Sequence, residues 1–167
     1  LREYYDGEHK ILNRTFGNES IPNNKIVCNH AEYITDIATG YVFGVPITYS
    51  GDGAKELNIN FTAIDEDSHN NELALDLSIL GRGYELLYMD NGDKPRVELK
   101  TLSPIDTFLV VDTSCEEKPM FAVHYYPNFN LDGVLENHTV EVYTETEKLI
   151  YEAPAFYNEH STLKDVD

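Results

Sequence analysis

At Gly83 the periodicity of the chain changes, and that change limits the folds open to it more than any other feature. Upstream, apolar residues recur at helical intervals: Val27, Ala31, Ile34, Ile37, Ala38 and Tyr41 share one stripe, and Lys25, Asn29, Glu32 and Asp36 form the opposite, wet one. Asn23 or Asn24 is expected to cap this helix by accepting from the free amides of its first turn. The helix is expected to end near Gly44 in a left-handed turn, with Pro46 blocking continuation, and a short strand over residues 47–49 follows. Residues 2–12 read as a short polar helix, 13–24 as an exposed loop, 50–54 as a turn-rich link and 57–64 as a short helix. Residues 70–80 fit a helix through Leu73, Ala74, Leu77 and Leu80, and a strand through Leu73, Leu75, Leu77 and Ile79. Their Glu, Leu and Ala content decides for a helix, capped by Asp67 or Ser68.

Beyond Gly83 the period becomes two. Strands over 84–90 and 96–102 flank Asn91-Gly92-Asp93-Lys94, whose Asn-Gly pair favours a tight hairpin. In the second strand Val97, Leu99 and Thr101 alternate with Arg96, Glu98 and Lys100, as a half-buried strand requires. Ser103-Pro104 ends it, and further strands are expected over 107–111, 121–126 and 139–144, with 149–151 pairing back on the last. Helices first and strands afterwards predict an α+β fold, with N-terminal helices packed on a mainly antiparallel sheet. The length of 167 residues suits one domain, 1–167, or a large piece of one. Because the chain opens on Leu1 and closes on a polar run, 158–167, we expect it to be a segment of a longer polypeptide.

Twelve Lys and Arg face 30 Asp and Glu, a formal net charge of -18. Nucleic-acid affinity rests on cations that displace condensed counterions, so tight DNA binding is not expected. Cys28 and Cys115 are too few and too far apart for a disulfide framework or a Cys-x-x-Cys metal site and read as reduced thiols. The Asn-x-Ser/Thr patterns at Asn13, Asn18, Asn60 and Asn137 read as chance products of an Asn-rich chain. No apolar run approaches the ~20 residues of a membrane span, and a soluble protein made inside the cell is expected.

Convergent chemistry is sparse. His9, His30, His69, His124, His138 and His160 never stand at i, i+4, the spacing that brings two to one metal on a helix, and His30 reads as a half-buried, hydrogen-bonded side chain. Asp65-Glu66-Asp67 with Asp76 has the acidity of a calcium loop, but Asn70 stands where that loop needs glycine and Asp76 where it needs a bidentate Glu. The acidity is better explained by a helix dipole. No Gly-x-Ser-x-Gly nucleophile signature occurs, and Gly81-Arg82-Gly83 lacks a dinucleotide fingerprint's third glycine and preceding strand. It reads as a helix terminator followed by a strand start. The twelve tyrosines lack the interleaved cations of a single-strand binder and read as half-buried strand residues with wet hydroxyls. Catalytic, cofactor and metal residues are therefore all expected to be none.

One resemblance goes further. Tyr4-Tyr5-Asp6-Gly7 with Ile11-Leu12, Pro22-Asn23-Asn24-Lys25, and Gly40-Tyr41-Val42-Phe43-Gly44-Val45-Pro46-Ile47 are followed by Asn70-Asn71-Glu72, Leu80-Gly81-Arg82-Gly83-Tyr84-Glu85, Tyr88-Met89-Asp90, Leu102-Ser103-Pro104 and Val140-Glu141-Val142-Tyr143-Thr144. In this order, over about Tyr4 to Tyr151, the motifs resemble the N-terminal wing region of the SPP1-like portal proteins of tailed bacteriophages. Stem, clip and crown segments have no counterpart in this chain. The resemblance implies a non-catalytic structural subunit of a dodecameric head-tail connector ring at one capsid vertex, through which DNA is packaged and ejected. Its implied partners are sister subunits, the terminase motor, major capsid and scaffolding proteins and head-completion or tail connector proteins, with double-stranded DNA passing without tight binding. It implies a place in the virion, and in the host bacterial cytoplasm during assembly. An acidic adaptor or ligand-binding module is the alternative, and a carboxylate-dependent hydrolase a more distant one.

Overall fold

The computed structural model describes residues 1–17, 20–92 and 95–154, and 164–165 as backbone. Asn18, His160, Asp93-Lys94 of the expected turn and nearly all of the polar run at 158–167 lie outside the described residues. The fold is α+β, as expected. The chain divides into two compact units, Leu1–Thr101 and Leu102–Asp167.

The first unit opens with α1 (Arg2–Tyr5) and a single 3-10 turn (Lys10–Asn13) where one helix was expected. The break falls at Gly7, whose φ of 79° is a left-handed conformation that glycine adopts without a Cβ penalty. Next comes α2 (His30–Phe43), which starts later than the apolar period suggests. Its cap is Asn29 and neither Asn23 nor Asn24: the Asn29 side-chain oxygen accepts from the Glu32 N–H at 3.3 Å. Asn29 Nδ2 donates to the Glu32 carboxylate at 2.8 Å and to the Tyr5 carbonyl at 2.7 Å. Asn29 thus caps the first turn of α2, and the Glu32 carboxylate steadies its side-chain amide. The earlier asparagines are occupied elsewhere, since Asn23 exchanges hydrogen bonds with Arg14 and the Asn24 carbonyl accepts from the Arg14 guanidinium.

Gly44 does end α2, but at φ -69° and ψ -8°, in the right-handed region and not the left-handed one expected. Glycine is required there for space, because a Cβ would collide with the Gly40 carbonyl oxygen. Residues 47–49 form no strand, so that expectation is corrected: Tyr49 is held by a side-chain hydrogen bond from its hydroxyl, not by a ladder.

The largest correction concerns how α2 is turned. Its inward side consists of buried Thr35 with half-buried Ala31, Thr39 and Phe43, packed on α4 (Glu66–Leu80). Ser78 Oγ reaches Thr35 Oγ1 at 3.4 Å, and Thr39 Oγ1 donates to the Thr35 carbonyl at 2.9 Å. Small residues line the contact, and the large members of the apolar stripe are left outside: Ile34 is 65% exposed and Tyr41 90%. His30 is the first helical residue and is exposed, not half-buried.

Between them, α3 (Ala54–Ala63) follows Gly53, which lies at φ 82°. Helix α4 starts four residues before the expected 70, so Asp67 and Ser68 lie inside it, and Asp65 occupies the N-cap position in a left-handed conformation without a side-chain cap. Gly81 terminates α4 at φ 74°, and a Cβ on Gly83 would stand 2.7 Å from Leu73 Cδ1, so bare backbone packs against the helix. β1 (Tyr84–Met89) and β2 (Val97–Leu102) then form a two-stranded sheet. The Asp90 N–H donates to the Arg96 carbonyl at 2.9 Å, so the connection is wider than the two-residue turn that Asn-Gly favours. Alternation holds at Leu99, Lys100 and Thr101 but fails at the start of the strand, where Val97 is exposed and Glu98 half-buried.

The second unit is a five-stranded antiparallel meander, β3 (Thr107–Val111), β4 (Pro119–Phe129), β5 (Leu135–Tyr143), β6 (Lys148–Ala153) and β7 (Lys164–Asp165), in that order across the sheet. β4 runs past the expected 126 because its pairing with β5 continues to Phe129↔Leu135, while β3 ends its pairing at Thr107↔His124. Beyond that register β4 is an edge, where the missing N–H of Pro127 breaks no ladder bond. Cross-strand partners share a face: Tyr125↔Val140↔Tyr151 and Val123↔Val142↔Leu149 make one side apolar. Val123, Val140 and Ala153 are its buried centre, flanked by Phe121, Tyr125, Val142 and Tyr151. His124↔Glu141 and Ala122↔Tyr143↔Lys148 lie on the opposite, polar side.

Candidate functional site

Two carboxylate clusters and two apolar surfaces are the features with functional potential. In the first unit, buried Glu66 accepts from the Tyr49 hydroxyl at 2.6 Å and from Asn70 Nδ2 at 2.6 Å. The bond to Glu66 and then burial push the Tyr49 hydroxyl up to about 12, since losing its proton would place two anions together. These groups border an open cleft of about 460 Å³ lined by Pro46, Tyr49, Phe61, Asp65, Glu66 and Asp67. Residues 66–76 are helical, so Asp65-Glu66-Asp67 and Asp76 do not wrap around a common centre as a calcium loop does. Beside them, buried His69 sets Nε2 2.7 Å from Glu85 Oε2 and Nδ1 3.2 Å from Thr101 Oγ1, tying α4 to β1 and β2.

In the second unit, Glu141 is buried on the polar side of the sheet, 2.7 Å from Lys148 Nζ. Tyr143 donates to it through a very short bond and Tyr126 at 3.4 Å. Burial works to raise the Glu141 carboxyl, and the bonds from Lys148 and Tyr143 outweigh it, so the group lies below the usual carboxylate range. Burial and that same bond raise the Tyr143 hydroxyl. His124, opposite Glu141, is bonded through Nδ1 to Thr107 Oγ1 at 3.0 Å. Tyr5 repeats the pattern on Asp36 at 3.0 Å. With acids far outnumbering bases, tyrosine hydroxyls serve as carboxylate donors, a role that composition alone did not suggest for them.

Glu66 accepts both of its bonds on one carboxylate oxygen, Glu141 is held by Lys148 and two tyrosines, and the Thr101 and Thr107 hydroxyls meet His69 and His124. Among the described residues no three His, Cys, Asp or Glu side chains converge as metal ligands, and Cys28 and Cys115 are separate exposed thiols. Gly81-Arg82-Gly83 is a helix terminator and strand approach, as read from the sequence. No helix among the described residues is long and apolar enough to cross a membrane.

The apolar surfaces are larger. Along α2 and its exit, Tyr33, Ile34, Ile37, Tyr41, Val42 and Val45 are all exposed, and no charged residue occurs from 37 to 51, between Asp36 and Asp52. That charge-free interval is the signal that marks the stretch in the sequence; helical periodicity alone assigned it to the core. At the β4–β5 turn, Phe129, Leu131, Val134 and Leu135 are also exposed. Asn130 builds this tip, its side-chain oxygen accepting from the N–H groups of Asp132 at 3.0 Å and Val134 at 2.9 Å, with Gly133 at φ 75°. A pinned turn thus presents apolar side chains outward.

Such a molecule is an α+β module with exposed apolar side chains along α2 and at the β4–β5 turn. Residues 1–164 match the family model of the phage portal proteins, SPP1 Gp6-like, and the chain belongs to that family. The family is structural and non-catalytic, and its members act as oligomeric rings with other phage head proteins at the capsid vertex. No curated protein matches the chain.

Proposed function

We propose that this chain is the wing-region part of a phage portal subunit, 1–167, and that the stem, clip and crown belong to other parts of the same polypeptide. Twelve copies encircle the channel through which the terminase motor drives double-stranded DNA and through which the genome later leaves. The ring also meets the major capsid and scaffolding proteins and, after packaging, the head-completion and tail connector proteins; assembly takes place in the bacterial cytoplasm. The observation that carries this reading is the family match over residues 1–164.

The charge of -18 suits the role. A conduit has to let a polyanion slide, and acidic walls offer no cations to replace phosphate counterions. Catalysis is no part of the reading, and the Glu66 and Glu141 clusters act as structural ties. The test is electron microscopy of the complete gene product under assembly conditions, with DNA binding measured alongside. Closed rings without appreciable duplex affinity at physiological salt are expected; a protein that remains monomeric throughout, or that binds duplex DNA tightly, refutes the proposal.

A further inference from the structure

We infer that the exposed apolar face of α2 is a contact between copies of this chain, and that the occupant is the β4–β5 tip of the neighbouring copy. The inference rests on the ring reading above and names the surfaces that would close the ring.

Three observations lead there. The first is area: Tyr33, Ile34, Ile37, Tyr41, Val42 and Val45 are exposed, and together they offer roughly 750 Å², close to the about 800 Å² per partner of a standard stable interface. Single surface apolar residues are ordinary, but six of them within residues 33–45 gather an exposed apolar area of the size that marks an interaction site. The second is charge. A chain at -18 repels its own copies, so self-association requires a surface where that repulsion is weakest, and residues 37–51 carry no charge at all.

The third is symmetry. A patch that meets itself gives a two-fold dimer, whereas a ring of more than two needs two dissimilar patches on each chain, one for each neighbour. The described residues supply a second one, of matching chemistry and different shape, in Phe129, Leu131, Val134 and Leu135. The tip is held by the Asn130 side chain and by the Asn130 N–H to Val134 carbonyl bond at 3.0 Å, so little conformational freedom is left to lose when it docks. A narrow, rigid knob on one copy and a long helix face on the next form a head-to-tail pair.

The test uses the complete gene product. Ile34→Asp with Ile37→Asp on α2, and separately Leu131→Asp at the tip, are expected to reduce the ring fraction at least tenfold in sizing with light scattering, with helical circular dichroism retained. As a second measurement independent of those charges, Ile37→Cys and Leu131→Cys are combined in a Cys28→Ser, Cys115→Ser background and treated with a short bismaleimide. A ladder of covalent oligomers from the double variant, absent from either single variant, is expected. Rings that form normally in the Asp variants and give no ladder overturn the inference while leaving the ring reading intact. A parent protein that never forms rings refutes the ring reading, and this inference falls with it. Thermal destabilisation of the monomer by the α2 charges, without a ladder, assigns the face to intramolecular packing and also overturns it.

Discussion

Two truncations separate what periodicity suggests from what the fold does: Val140→Ala in β5 and Ile34→Ala in α2. Val140 is 3% exposed and lies between its cross-strand partners Tyr125 and Tyr151. Removing two carbons at about 0.8 kcal/mol each loses roughly 1.6 kcal/mol of transfer energy. The ladders on both sides keep β4 and β6 from closing on the gap, and the cavity left behind raises the total to about 2–3 kcal/mol. For a unit the size of Leu102–Asp167, each kcal/mol moves Tm by about 4–8 °C, so a fall on the order of 10 °C is expected in the transition of that unit. Ile34 is 65% exposed. Its truncation forfeits well under the 2–5 kcal/mol of a buried Ile→Ala change, and alanine returns about 0.4 kcal/mol of helix propensity, for a net effect near zero. Both variants are to be followed by denaturant titration at low micromolar concentration, with far-ultraviolet circular dichroism and tyrosine fluorescence as probes. An Ile34→Ala cost of 2 kcal/mol or more, or a Val140→Ala cost under about 0.5 kcal/mol, would refute the assignment of these faces.

Asn29→Ala removes the α2 cap together with the tie to the Tyr5 carbonyl; a loss of about 1 kcal/mol in thermal melts is expected, and an unchanged melt contradicts the Asn29 cap. Glu141 is depressed in the fold, so its contribution to stability is present above the unfolded carboxylate pKa and disappears as pH falls through its lower folded value. Tm measured from pH 7 down to 3 should fall more steeply in the wild type than in Glu141→Gln, and parallel curves dismiss the effect. Tyr49 is raised to about 12, so its contribution is complete below about 10 and is lost as pH climbs from there through 12. Absorbance titration near 295 nm should show one late-titrating tyrosine missing in Tyr49→Phe, and an unaltered curve excludes the bond to Glu66.

The order of elements was legible because it rests on local physics. The switch of period at Gly83 separates α4 from β1, Leu and Ala content correctly chose helix for residues 70–80, β3 and β6 fall close to where alternation places them, and β5 starts four residues before the expected 139. The family, too, was readable from turn and terminator motifs, whose glycines and prolines mark backbone geometry directly. The α2 cap was also present in the sequence, as Asn29-x-x-Glu32, but the competing asparagines at 23 and 24 hid it. Their engagement by Arg14 is a contact across the loop that no local rule reports.

Which way α2 faces was decided by the fold alone. Period 3.6 identifies a stripe that must leave water, yet it is silent on whether the cover is the same chain or another one; Thr35 and Ser78 allow a closer approach to α4 than Ile34 and Ile37 would, and the helix settles on its small-residue side. The partners of the carboxylates were likewise beyond reading, because Tyr49 and Glu66, or Tyr143 and Lys148 around Glu141, meet through loop closure and strand register. Local pattern specifies what a segment becomes, and only long-range packing specifies what it touches, since contact energies depend on distances that the order of residues does not contain.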